Sequence, residues 1–99
     1  MTNLRKEARG RECQVRSPVC SFMPEETVLA HVRMVGISGM GIKAPDLLGA
    51  WACAACHTLC DTGRYGDVEM ERDDRELLLL RGVMRTQARL IHEDKLLCE

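Results

Sequence analysis

A chain of 99 residues holds one domain. Its composition, 45% hydrophobic and 29% charged with a net charge of −1, excludes a disordered chain, and no run approaches the ~20 apolar residues that span a bilayer. With one Trp, one Tyr and one Phe the core must be aliphatic and modest, the situation in which a small domain gains most from a metal or disulfide staple.

The opening stretch, MTNLRKEARGREC, is charged and has no apolar run after it, so no secretory signal is expected and the cytoplasm is the expected compartment. Disulfides rarely persist there, so the six cysteines point to metal first and to redox chemistry second. Residues 1–22 form a basic arm and loop, with Arg5, Lys6, Arg9, Arg11 and Arg16 against Glu7 and Glu12. Such an arm can contact phosphate, although a solvated charged surface accounts for the same pattern. LRKEAR is expected to make a short helical turn stopped at Gly10, and Ser17-Pro18 a turn between Cys13 and Cys20. ETVLAHVRM, 26–34, mixes β-branched and apolar residues and reads as a strand; GISGMGIKAP after it reads as a loop.

From Asp46 the sequence DLLGAWACAACHTLCD is helix-like, with Gly63 as its stop. The acidic stretch DVEMERDD leads into a last helix over 73–95, capped by Asp73 or Asp74. Its three- and four-residue steps make Leu77, Leu80, Met84, Ala88 and Ile91 the expected packed stripe. Arg81, Arg85 and Arg89 form a row on another face, helped by a pair between Arg89 and Glu93. This helix can pack within the chain or pair with a second copy.

The window WACAACHTLC, 51–60, carries the chemistry. Structural zinc prefers four soft ligands in a tetrahedron. Cys53 and Cys56 have C-x-x-C spacing, and at a helix start the dipole stabilises thiolates. Cys13 and Cys20 supply the second pair, across a gap wider than the usual two to four residues. Together they predict an all-thiolate site of the treble-clef kind, against the plainer reading of buried thiols acting as small hydrophobes. A thioredoxin-like redox motif is the other reading of C-x-x-C, but it wants a strand immediately before it, and helix-like sequence stands there. Cys60 is expected in the core. Cys98 and His92 receive no role.

His57 follows Cys56 directly, about 100° round a helix, and should face away from the zinc. His31 lies mid-strand in VLAHVR. A strand packed on the helix would bring the two imidazoles toward one cleft, one as general base and one as ligand to a second, catalytic ion. A lone strand histidine is more commonly a hydrogen-bonded core residue.

A cysteine pair, a strand histidine and a helix bearing C-x-x-C-H resemble the HNH, or His-Me finger, nucleases of the zinc-bearing kind. Through LRKEARGRECQVR, VLAHVR, PDLL with ACAACH, and GVMRTQ, nearly the whole chain is similar to the YbcO-like family of small prophage proteins, which carry a nuclease label. The resemblance implies an α+β fold, a treble-clef ββα-metal core over 26–63 with the added C-terminal helix. It implies a metal-dependent endonuclease acting on DNA in the cytoplasm of a bacterial host. His31 matches the general base, His57 the last metal ligand, and Cys13, Cys20, Cys53 and Cys56 the structural zinc ligands. A magnesium or other divalent ion would be the catalytic cofactor, and Arg9, Arg11, Arg16 and Arg33 would hold phosphate. The pattern departs at Ala30, where HNH enzymes commonly carry Asp, and at the middle Asn, near whose place stands Asp46. The competing function is a zinc module without catalysis that binds nucleic acid or a phage recombination or replication partner.

Overall fold

A computed structural model describes residues 3–33 and 44–96. The element order is α1 (Leu4–Glu7), β1 (Val28–His31), β2 (Gly49–Ala52), α2 (Ala54–Thr62), β3 (Arg64–Tyr65), β4 (Val68–Glu69) and α3 (Arg72–His92), with 3₁₀ turns at Pro24–Glu26 and Asp46–Leu48. The protein is therefore a small α+β fold built on two short antiparallel hairpins, as expected at that level. The loop expected at 36–43 and Cys98 lie outside the described residues.

β1 and β2 pair in the register Val28 with Ala52, Leu29 with Trp51, Ala30 with Ala50 and His31 with Gly49. Gly49 is required by this pairing, because a Cβ there would stand 2.7 Å from the Leu29 side chain. The outer edge of β2 does not remain open: the Gln14 N–H donates to the Trp51 carbonyl at 2.7 Å, and the Trp51 N–H donates to Thr86 Oγ1 at 3.0 Å. The loop before β1 and the helix α3 thus serve as partners for a strand that has only one neighbouring strand, which disposes of the exposed-edge hazard.

Two expectations along this stretch are corrected. The helix read from Asp46 begins only at Ala54, and GAWA is a strand. All four of its residues are buried, so it shows no alternation of polar and apolar side chains to mark it as a strand. In α3 the packed face is Leu79, Gly82, Val83, Thr86 and Leu90, whereas the expected stripe is exposed, with Met84 at 67% and Leu77 at 46%. This helix is apolar on two faces, and the sequence period alone does not choose between them. The core chose the face with Gly82, because a Cβ there would stand 3.0 Å from a Val15 methyl and 3.1 Å from the Ala50 Cβ. That close approach is what lets α3 lie on β2. Gly82→Val should therefore cost about 1–3 kcal/mol by overpacking, read as a lowered urea midpoint with an unchanged slope.

Helix ends follow local chemistry. Gly63 adopts φ of 85° and ends α2, as the sequence implied, whereas α1 ends earlier than expected, at Glu7 with Ala8 as its cap, and Gly10 at φ 75° lies in the turn beyond. Asp73 and Asp74 sit in the first turn of α3, where they oppose the dipole, and the cap position belongs to Glu71.

A second, smaller cluster joins the two ends of the chain. Ala8, Trp51 and Leu90 are buried together, and the Arg11 guanidinium lies 4.7 Å over the Trp51 ring. Arg11 also grips Glu93 with two hydrogen bonds of 2.5 and 2.6 Å and Glu7 at 3.0 Å, while Lys95 reaches Glu7 at 2.6 Å. These contacts hold the Glu93 carboxyl well below the usual range, Arg11 first among the causes and Arg89 next. The Glu7 carboxyl is lowered by Lys95 and then Arg11. A carboxyl with a depressed folded pKa contributes stability above its ordinary value near 4.5, and that contribution is lost as the pH falls below it. The melting-temperature gap between the native chain and Glu93→Gln should be fully open at pH 7, begin to narrow below about pH 4.5, and close only as the pH falls through the much lower folded-state value. Comparing the two proteins cancels any acid effect on the cysteines.

Candidate functional site

The chain brings all four expected cysteines together. The Sγ atoms of Cys13, Cys20, Cys53 and Cys56 lie within 4.8 Å of one another. Around a tetrahedral zinc with Zn–S near 2.3 Å, sulfurs stand ~3.8 Å apart; Cys53 Sγ and Cys20 Sγ are 3.9 Å apart. Each half is placed by local structure. Cys53 is the cap of α2, in an extended conformation, and its sulfur accepts the Cys56 N–H at 3.5 Å. The Ser21 N–H also points at Cys53 Sγ, at 3.5 Å. The other half is a tight loop: the Cys20 N–H bonds the Ser17 carbonyl at 3.0 Å, and the buried Ser17 hydroxyl lies 3.0 Å from Cys56 Sγ.

The electrostatics of the bare cluster show what it lacks. The hydrogen bond from Cys56 draws the Cys13 thiol down to about 4, and the same contact pushes Cys56 up. Burial pushes Cys20 up to about 11. Sulfurs this close share protons because crowded like charges cannot all ionise. A dication removes that conflict and permits four thiolates, so the donor set fits a metal such as zinc. Cys60 stands apart from the cluster: it packs against the core, and burial pushes its thiol up to about 11, an inert side chain.

His31 ends β1, and its Nε2 lies 2.7 Å from Asp46 Oδ1 in the 3₁₀ turn before β2. The hydrogen bond to His31, and then that to Arg5 at 3.3 Å, hold the Asp46 carboxyl below the usual range. An ionised carboxylate only accepts, so the proton sits on Nε2 and the neutral ring keeps its Nδ1 lone pair. Ala30 is buried in the core. Asp46, which stands near the place of the middle Asn of the HNH pattern, thus bonds the histidine ring, and the place of the acidic residue at position 30 stays apolar. Fifteen residues separate His31 from Asp46, so their contact is not readable from local spacing, although the resemblance already set Asp46 near the place of the middle Asn.

His57 is partly exposed in the first turn of α2. One turn further on stands Asp61, whose Oδ1 is 2.7 Å from Arg33 Nε. Arg33 follows His31 by two residues, so this ion pair ties the end of β1 to the helix that carries His57. Asp61 was not singled out in the sequence; its signal is the four-residue step from His57, which puts both on one side of a helix. Of the expected phosphate contacts, Arg9 and Arg16 are exposed, while Arg11 is committed to Glu93, Glu7 and Trp51 and serves the fold. Arg5, beside Asp46, is the cation that the sequence reading left out of the site.

These features define the class: a small α+β domain with a four-cysteine clasp able to hold a metal ion, and with a histidine hydrogen-bonded to a carboxylate. The chain belongs to the YbcO family, described as "Putative nuclease YbcO", which matches residues 2–95. It is 58% identical over 62 residues to "Putative nuclease YbcO" of Escherichia coli (strain K12) and to "Putative nuclease ybcO" of Enterobacteria phage 82. In both cases the match covers 62% of this chain and 65% of the relative, so the chain spans a little under two thirds of these relatives' length. A solved structure, "Structure of a putative bacteriophage protein from Escherichia coli str. K-12 substr. MG1655", has a TM-score of 0.74 and 39% identity, covering 93% of this chain and 100% of that one. Among the described residues no helix is long and apolar enough to cross a membrane.

Proposed function

We propose that this chain is a metal-dependent endonuclease of the HNH, or His-Me finger, kind, hydrolysing phosphodiester bonds in DNA, with a structural zinc in the cysteine clasp. The observation that carries the reading is the 2.7 Å contact between His31 Nε2 and Asp46 Oδ1. A carboxylate that fixes the tautomer of an imidazole, and leaves its second nitrogen as acceptor, is the arrangement a general base needs. The names of the phage and prophage relatives support the nucleic-acid substrate.

His31 takes a proton from water through Nδ1 while Asp46 holds the ring and stabilises the charge it acquires. His57 and Asp61, one helical turn apart, would hold a divalent ion. That ion, when bound, supplies positive charge to the scissile phosphate and the leaving oxygen. Asp61 answers the missing acidic residue at position 30, giving a two-ligand site, and magnesium keeps several waters at such sites. Arg33, released from Asp61 toward the substrate, and Arg5, with Arg9 and Arg16 further out, hold phosphate oxygens.

The test is nicking of supercoiled plasmid with magnesium, manganese or zinc added. Cleavage that needs the added ion and disappears in His31→Ala is the expected result. DNA binding without cleavage under every ion would instead favour the zinc module without catalysis.

A further inference from the structure

We infer that the exposed apolar stripe of α3 is a docking surface for a second copy of this chain, packed antiparallel about Met84. The inference is independent of the reading of the active site. Leu77, Leu80, Met84 and Ile91 are 46, 38, 67 and 40% exposed. With Ala88 they fall within an arc of about 80° on the wheel of the helix, roughly opposite the face that α3 buries. Among the described residues nothing covers this outer apolar side. The rim adds Leu47, 43% exposed, whose carbonyl accepts the Gln87 side chain at 2.7 Å.

The occupant follows from the order of residues along the stripe. Read outward from Met84, Leu80 and Ala88 lie four residues away on either side, and Leu77 and Ile91 seven. An antiparallel copy therefore sets Met84 against Met84, Leu80 against Ala88 and Leu77 against Ile91. Each pairing recurs with the roles of the two copies exchanged, as an isologous two-fold contact requires, and the small Ala88 leaves room for Leu80 of the partner on both sides of the centre. Charge agrees. The start of α3 carries Asp73 and Asp74, and its end carries Arg89 and His92. Asp74 and His92 share one flank of the stripe, so antiparallel packing places each across from the other in the partner, whereas parallel packing stacks acid on acid. The helix dipoles are opposed as well.

Two copies of a single stripe fall at the small end of specific interfaces, so association in the range of tens of micromolar is expected. Sedimentation equilibrium of the zinc-loaded protein, from about 2 to 300 μM, should show a monomer–dimer equilibrium, and Met84→Glu should weaken it by at least ~30-fold. Met84 is the most exposed residue of the stripe, so circular dichroism and zinc content should be unchanged in that variant. Orientation is read from charge: Asp74→Lys should weaken the dimer, and Asp74→Lys with His92→Asp should restore it. A chain that stays monomeric at 300 μM, or a dimer indifferent to Met84→Glu, overturns the proposal. A dimer broken by Met84→Glu but not restored by the double exchange overturns the antiparallel arrangement.

Discussion

Stripping the metal is expected to unfold the chain. Zinc analysis should give one ion per chain, and a chelator with a thiol reductant should abolish the cooperative thermal transition. The magnitudes decide this. A domain of this size has a stability of roughly 5–15 kcal/mol, and structural zinc sites contribute apparent energies of about 10–16 kcal/mol at neutral pH. What the four thiols hold together makes the expectation concrete. Cys13 and Cys20 belong to the loop that leads from α1 toward β1, and Cys53 and Cys56 to the junction of β2 and α2. Without the ion nothing covalent joins these segments, and the sulfurs revert to a proton-sharing cluster in which Cys13 is drawn down and Cys56 is pushed up. Cys53→Ser should behave like the stripped protein, because it removes a thiolate ligand while its hydroxyl can still cap α2, so the loss reads the metal site alone. Cys60→Ala should keep one zinc and lose only the modest packing of a partly buried thiol. A metal-free chain that melts at the same temperature as the loaded one would refute the clasp.

The clasp was legible in the sequence because its grammar is local. C-x-x-C at the start of a helix positions two sulfurs whatever the rest of the fold does, and the Ser17-Pro18 turn brings back a second pair. The stop of α2 at Gly63 and the pair of Arg89 with Glu93 were legible for the same reason. Three features were not. GAWA, made of Gly, Ala and one Trp and buried throughout, lacks both β-branched residues and alternation, and only its pairing with β1 makes it a strand. The buried face of α3 includes Thr86, which no apolar count selects; it is there to accept the Trp51 N–H. Arg11 reads as one basic residue among several, and becomes structural only when Glu93 arrives from the other end of the chain. Each depends on a partner far away in sequence.

The same distinction separates the two histidines and shapes the second large effect, which is on activity. His31→Ala should lower the rate of plasmid nicking by about 10²–10⁴-fold, the range of a lost general base. Zinc content should stay as it was, since the His31 side chain is not part of the clasp; the melting temperature should fall modestly, because that side chain is only 17% exposed and bonded to Asp46. Partial recovery in added imidazole would separate a lost base from a displaced strand. Asp46→Asn is the sharper test. The carboxylate can only accept from Nε2, and an amide can present its NH₂ instead, which moves the ring proton to Nδ1 and removes the lone pair that the proposed base would use. A loss of at least ~10-fold is therefore expected from a change of one atom. Arg5→Gln provides the control, for it removes the other contact to Asp46 but leaves the bond to His31 in place. It should weaken DNA binding at moderate salt while costing little in the chemical step. If Asp46→Asn cleaves as well as the native chain, His31 is not positioned by Asp46, and the contact between them belongs to the fold alone.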